Sequence, residues 1–135
     1  DALPISICCG LRAKNGNRFY GVFKSGHKKE PFLTQHGKDR DENPNQYVKN
    51  FNDGCSVTYK YFDLKETKCF GIEVDGAAKG KLILKYGDKE AVQEINLQKE
   101  NKVIEFPIEN GGEKDQVTFI YEGKGAIDLI KLILK

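Results

Sequence analysis

The chain has 135 residues and carries 22 Lys and Arg against 20 Asp and Glu, a formal net charge of +2. This length suits one domain, and we take residues 1–135 as that domain. Balanced charge argues against a nucleic-acid surface, and no apolar stretch reaches the roughly 18 residues of a membrane-spanning helix, so we expect a soluble protein that binds neither nucleic acid nor membrane.

The N-terminal part begins inside a strand pattern. Leu3, Ile5 and Ile7 alternate with other residues, no signal peptide precedes them, and the chain contains no Met. We therefore expect a fragment of a larger protein. Residues 26–45 are mostly polar and are predicted to form two loops around one short strand at Phe32 and Leu33. Long loops on a β scaffold often carry binding sites.

From residue 55 onward, apolar residues alternate with polar ones in short runs, as half-buried strands require. Turn residues interrupt these runs about every ten to fourteen positions, a rhythm typical of a sandwich or barrel. The predicted strands contain Phe70–Val74, Leu82–Tyr86, Ile95–Leu97, Ile104–Ile108, Val117–Tyr121 and Ile127–Leu134. The predicted turns are Asn15-Gly16, Asp53-Gly54, Asp75-Gly76, Gly87-Asp88, Asn110-Gly111-Gly112 and Gly123-Lys124-Gly125.

Two strands carry positional signals. The last strand, Ile127–Leu134, is apolar on both faces apart from Asp128 and Lys131, which predicts a place inside a sheet or against another domain. Pro107 interrupts an otherwise regular strand, which predicts an edge position or a bulge because proline lacks the amide hydrogen.

The four cysteines do not have zinc-site spacing. Cys8 and Cys9 are adjacent, and in a strand they point to opposite faces, so they cannot easily pair with each other. We favour buried free thiols. A bridge between Cys55 and Cys69 stays open, because spacing alone does not decide it.

Catalytic patterns are absent from the sequence. His27 and His36 lie in polar loop sequence, away from a nucleophile-and-base arrangement, and a count of 20 carboxylates does not indicate a facing pair. We therefore assign no catalytic residue. Asp128 is unusual, because a carboxylate between Ile127 and Leu129 is costly to bury unless it is satisfied. A metal ion and ordinary hydrogen bonds are equal alternatives there.

Tyr47 is the strongest candidate for sugar binding. It follows Asn45 and Gln46 at the edge of a loop, so a ring that stacks on a sugar and amides that bond its hydroxyls would lie together. The alternative is that Tyr47 begins a strand and packs inward. Tyr59, Tyr61 and Tyr121 alternate within strands and are predicted to be core or sheet-face residues.

Several short motifs, in order, resemble known modules. Gln46-Tyr47-Val48, Asn52-Asp53-Gly54, Val57–Asp63 and the ending Gly123–Asp128 resemble stretches of family 6 carbohydrate-binding modules. Pro31–Arg40 and Lys60–Asp63 resemble the accessory C-terminal domain that follows the catalytic propeller in glycoside hydrolase family 43 arabinofuranosidases and xylosidases. The similarity covers essentially the whole chain.

This resemblance implies an all-β fold, a β-sandwich jelly roll of the galactose-binding type with antiparallel sheets. It implies a plant cell-wall polysaccharide, xylan or arabinoxylan, and a parent catalytic domain as partners. In the family, a Tyr and a Trp sandwich the sugar and an Asn bonds it. Tyr47 matches that Tyr, but the chain has no Trp, and Ala126 stands at the position of the Asn.

The resemblance also implies a structural calcium ion with Asp128 as one ligand. The acidic partners expected near the start of the module are not obvious in the sequence, since Thr34 and Gln35 occupy that neighbourhood. We expect a non-catalytic carbohydrate-binding accessory module in which Tyr47, Gln46 and Asn45 contact the sugar. The alternative is a structural domain that packs on the catalytic domain and binds no glycan.

Overall fold

The computed structural model describes residues 2–4, 10–12, 18–19, 32–35 and 46–135. These residues form strands joined by turns, and all strand pairings are antiparallel. Within this part of the chain, no helix qualifies as a membrane span. The strands are β1 (Ala2–Pro4), β2 (Gly10–Arg12), β3 (Arg18–Phe19), β4 (Phe32–Gln35), β5 (Gln46–Asn52), β6 (Ser56–Phe62), β7 (Cys69–Tyr86), β8 (Lys89–Pro107) and β9 (Asp115–Leu134).

The longest strands are the last three, β7, β8 and β9. β9 is the central strand. It pairs with β7 along one of its edges and with β6, β5 and β1 in succession along its other edge. This central position confirms the prediction for the two-sided apolar segment. In the described residues β8 pairs with β7 alone, and Pro107 is its last residue, so the edge position predicted from Pro107 is also confirmed.

Two predicted turns are wrong, because the strands continue through them. Asp75-Gly76 lies inside β7, which has 18 residues, and Gly123-Lys124-Gly125 lies inside β9, which has 20. Glycines let these strands bend and approach each other closely, and at Gly125 the backbone has a φ of 80°, which other residues rarely adopt. The turns at Asp53-Gly54 and Gly87-Asp88 are confirmed.

Bulges accompany the bend. Lys99 is the extra residue of β8 opposite the step from Gly76 to Ala77, and its φ is 53°. In β9, Ile130 has no partner in the register with β7. The alternation of buried residues shifts by one position there, so Leu129 and Leu132 both face the core although they are three residues apart. This change of phase explains why the sequence of the last strand looks apolar on both faces.

The bent strands produce two layers that pack face to face. Phe70 pairs in register with Phe106, whereas Phe119 pairs with Val57 and Leu84 in another part of the sheet. Nevertheless, the ring centroids of Phe70 and Phe119 are 5.5 Å apart, and those of Phe106 and Phe119 are 5.9 Å apart. These contacts cross the core, so the predicted β-sandwich is confirmed.

The two cysteines with described side chains are both free thiols. Cys55 is buried, and its Sγ donates to Asn52 Oδ1 at 3.2 Å. Cys69 is half-buried and donates to Glu105 Oε2 at 3.1 Å; burial and then this carboxylate raise the pKa of the Cys69 thiol. The alternative of a Cys55–Cys69 bridge is therefore wrong. Cys8 and Cys9 lie outside the described residues.

Candidate functional site

Tyr47 is the second residue of β5, opposite Thr34 of β4. Its side chain is half-buried and packs against the hydrophobic core. Part of the ring is therefore fixed by the core while the rest stays accessible. Gln46 precedes it in the same strand, opposite Gln35, and Asn45 lies outside the described residues.

The register shows how far Tyr47 lies from the other position implied by the resemblance. Asn52 of β5 is directly opposite Ala126, four residues beyond the pair formed by Val48 and Leu129. Tyr47 precedes Asn52 by five residues, which corresponds to roughly 16 Å along an extended strand. Tyr47 and Ala126 therefore do not contact one sugar ring together, and the amide nearest to Ala126 by register belongs to Asn52.

Asp128 lies in the same central strand. It is half-buried and is opposite Asp75 of β7, which places two carboxylates side by side. Calcium takes six to eight oxygen ligands, and carboxylates suit it. In the described residues, however, no group of three or more His, Cys, Asp or Glu side chains is close enough to hold a metal ion. The described carboxylates alone therefore do not make a calcium site, and calcium binding stays a prediction.

The other tyrosines differ in their burial. Tyr59 and Tyr121 are buried in the core, as predicted. Tyr61 is 64% exposed, so of the two predicted places, core or sheet face, it takes the sheet face. The cause is a bulge between Tyr59 and Phe62, which breaks the alternation so that Phe62 packs against the core instead. No signal in the sequence marks this bulge.

The bend of β9 is held by hydrogen bonds that the sequence does not reveal. The Tyr121 hydroxyl donates to the Lys124 carbonyl oxygen, and the Gly123 amide donates to Asp53 Oδ1 at 3.1 Å. Burial, and then the negative charge of Asp53, raise the pKa of the Tyr121 hydroxyl. These contacts fix the backbone on which the nearby surface is built.

A groove of about 700 Å³ lies beside this bend. This volume is within the range of small-molecule sites, about 300–1,000 Å³. Its lining consists mostly of charged side chains from all three long strands, with Ile95 as the one apolar side chain. The residues that define its chemistry are Lys79, Lys81, Glu94, Ile95, Lys102 and Glu122. Sequence reasoning missed this groove, because it treated its two glycine-rich borders as turns between separate strands.

The comparisons with known proteins identify the fold. No family model matches the chain. It superposes on a family 6 carbohydrate-binding module from Clostridium stercorarium, solved with cellobiose, with a TM-score of 0.67, 9% identity and coverage of 100% of this chain and 92% of that one. A family 6 module from Clostridium cellulolyticum, solved with xylose, gives 0.66, 8% identity, and coverage of 100% and 96%. The chain has the fold of a family 6 carbohydrate-binding module.

Two further relatives connect this module fold with larger enzymes. Over 104 residues the chain is 35% identical to a xylosidase/arabinosidase of Thermoclostridium stercorarium, covering 73% of the chain and 21% of that protein. It also matches a family 43 arabinoxylan arabinofuranohydrolase of Bacillus subtilis, with a TM-score of 0.64, 14% identity, and coverage of 78% of this chain and 24% of that one. The chain thus spans about a fifth of the curated relative. These matches confirm the resemblance indicated by the motifs.

Proposed function

We propose that the chain is a non-catalytic carbohydrate-binding accessory module of a family 43 glycoside hydrolase that acts on xylan or arabinoxylan. The supporting observation is the combination of a family 6 module fold with 35% identity to part of a xylosidase/arabinosidase. Tethering a catalytic domain to its polymer raises the local concentration of the enzyme, so that even a weak sugar site assists the reaction.

Tyr47, with Gln46 and Asn45, is the proposed sugar contact. Since the ring of Tyr47 is half-buried against the core, it is held rigid before a ligand arrives, which lowers the entropy cost of stacking. A single stacked ring contributes of order 1 kcal/mol, about fivefold in affinity. The site is therefore weak, and the missing Trp and Asn make it weaker than a full sandwich.

Affinity electrophoresis in gels that contain arabinoxylan or xylan tests this function. We expect the wild type to be retarded and Tyr47→Leu, which keeps apolar packing but removes the ring, to lose about fivefold in affinity. Tyr61→Leu removes an exposed ring elsewhere and serves as the matched control, which should migrate like the wild type. Unretarded migration of the wild type on every polymer would contradict the proposal.

A structural role is the second candidate, and the outer face of one layer favours it. Ile83 is buried although it is not part of the core cluster, and its register neighbours are Val92 and Ile120. Val92 is 47% exposed. This apolar row could pack on a catalytic domain. In that case the chain would bind no glycan, and its stability would rise when it is joined to that domain.

We also propose calcium binding at Asp128, which rests on the resemblance and on the neighbouring carboxylate of Asp75. An ion that binds only the folded state stabilises it. We therefore expect a chelator to lower the melting temperature of the wild type but to have little effect on Asp128→Asn. An identical melting temperature with and without chelator would count against the ion.

A further inference from the structure

Two lysines lie directly opposite each other beside the groove. Lys79 of β7 pairs in register with Lys124 of β9, and on its other side Lys79 pairs with Asn96 of β8. All three side chains are exposed. Like charges that face each other across neighbouring strands destabilise a sheet. The register thus places two positive charges side by side, with the uncharged amide of Asn96 as the neighbour on β8.

The next pair of residues along the same strands shows the opposite arrangement. Lys81 pairs in register with Glu94 and with Glu122, and its Nζ lies 3.4 Å from Glu122 Oε1. Its charge is thus balanced on both sides. Among the described residues, no carboxylate forms an ion pair with Lys79 or Lys124. Beside the balanced Lys81, the register thus places opposite each other two lysines without an ion pair among these described residues.

This pair of lysines lies beside a cavity large enough for a ligand. Lys79 lines the groove of about 700 Å³ together with Lys102, which is also exposed and also has no ion pair in the described part of the chain. Ile95, which is 5% exposed, is the one apolar side chain of this lining, and the other side chains are charged or polar. Charged groups of this kind favour a polar ligand that forms charge-assisted hydrogen bonds with them.

We infer that this groove binds a saccharide that carries a carboxylate, a uronic acid residue, with the carboxylate near the Lys79 and Lys124 ammonium groups. The inference rests on the proposed carbohydrate-binding function and names the ligand class of a second site. A carboxylate removes the repulsion between the two lysines and accepts charge-assisted hydrogen bonds from them. The adjacent carboxylates of Glu94 and Glu122 repel a second anion, which favours a sparsely charged saccharide over a polyanion.

Titration calorimetry with two matched ligands tests this site. One ligand is a xylooligosaccharide with a single glucuronic acid branch, and the other is the same molecule with the carboxyl group reduced to a hydroxymethyl group. We expect the acid to bind about tenfold more tightly, as hydrogen bonds to charged groups allow. This advantage should shrink as salt is added, because the lysines are exposed.

Two double variants locate the effect. Lys79→Gln with Lys124→Gln should abolish the preference by lowering the affinity for the acid to that for the neutral ligand, and should melt at the same or a higher temperature because a repulsion is removed. Lys85→Gln with Lys114→Gln removes the same charge from exposed positions outside the groove lining and should keep the preference.

Each other result overturns the inference. Equal affinity of the wild type for acid and neutral ligand would refute the carboxylate site while the proposed carbohydrate-binding function stands. Binding of neither ligand would refute both. An equal loss in the two double variants would show a general charge effect. Equally tight binding of single-stranded DNA that depends on Lys79 and Lys124 would show a polyanion site instead.

Discussion

At the scale of single residues, Tyr121 connects the core with the bend of β9. Its ring is buried, and its hydroxyl donates to the Lys124 carbonyl oxygen. Tyr121→Phe leaves this carbonyl without its donor, so we expect the free energy of unfolding to fall by about 1–2 kcal/mol in urea denaturation. Tyr61→Phe, in an exposed ring, should leave stability unchanged.

The same side chain predicts a pH dependence. The pKa of Tyr121 is raised in the folded state, first by burial and then by Asp53. The folded state thus holds this proton more tightly than the unfolded chain, which stabilises the fold. This contribution is fully present below the ordinary tyrosine pKa of about 10. It is lost as the pH rises through the raised pKa of the folded state. The decrease in unfolding free energy between about pH 9 and about pH 11 should be smaller in Tyr121→Phe. Parallel decreases would contradict this assignment.

Tyr61 has a backbone conformation that side chains disfavour, with a φ of 76°. A left-handed conformation costs a residue other than glycine roughly 1–2 kcal/mol. Because the ring is mostly exposed, Tyr61→Gly should leave the free energy of unfolding unchanged or raise it by up to about 1 kcal/mol. Lys60→Gly, at the exposed neighbouring position without a positive φ, should lower it by about 1 kcal/mol. Equal losses would show that the bulge carries no strain.

At the scale of secondary-structure elements, the close approach of β7 and β9 depends on Gly80. A Cβ atom there would meet the Glu122 carbonyl oxygen and would lie 2.7 Å from Gly123 Cα, both backbone atoms. We expect Gly80→Ala to lower the free energy of unfolding by about 2–3 kcal/mol. At Gly71 the nearest atom is the side-chain Cγ1 of Val103, at 3.3 Å, so Gly71→Ala should cost less than about 1 kcal/mol. A larger loss at Gly71 than at Gly80 would contradict the account.

The elements also show what the sequence can and cannot reveal. The alternation of apolar and polar residues predicted where strands lie and which side chains face inward. Phe70, Leu84 and Phe119 each belong to such an alternating run, and all three are buried. The alternation did not predict that neighbouring runs join into strands of 18 to 20 residues. Asp75-Gly76 has the composition of a turn, and only long-range pairing decides that the chain bends there without reversing.

The candidate site is harder to predict from the sequence than the fold. Tyr47 could be selected from its amide neighbours, but its distance from Ala126 follows from the register of β5 with β9. The pairing of Lys79 with Lys124 joins residues that are far apart in the sequence. The groove likewise combines three strands. Such a surface is a property of topology, and a one-dimensional pattern does not contain it.

At the scale of the whole molecule, a sandwich built on three bent strands offers a rigid platform for ligand contacts. The aromatic rings of Phe70, Phe106 and Phe119 pack across the two layers, so the core holds both layers in a fixed relation. A rigid platform suits saccharide recognition, because a weak ligand cannot offset the cost of ordering its site. We propose that this platform binds a plant cell-wall saccharide.

The most direct test is an NMR titration of the isotope-labelled chain with xylo- and arabinoxylo-oligosaccharides. We expect saturable changes in amide chemical shift that are confined to β5 around Tyr47 and to the bend around Lys79 and Lys124, with the oligosaccharides recovered intact. Spectra that do not change at any ligand concentration would contradict saccharide binding, and the appearance of shorter sugars would contradict a non-catalytic module.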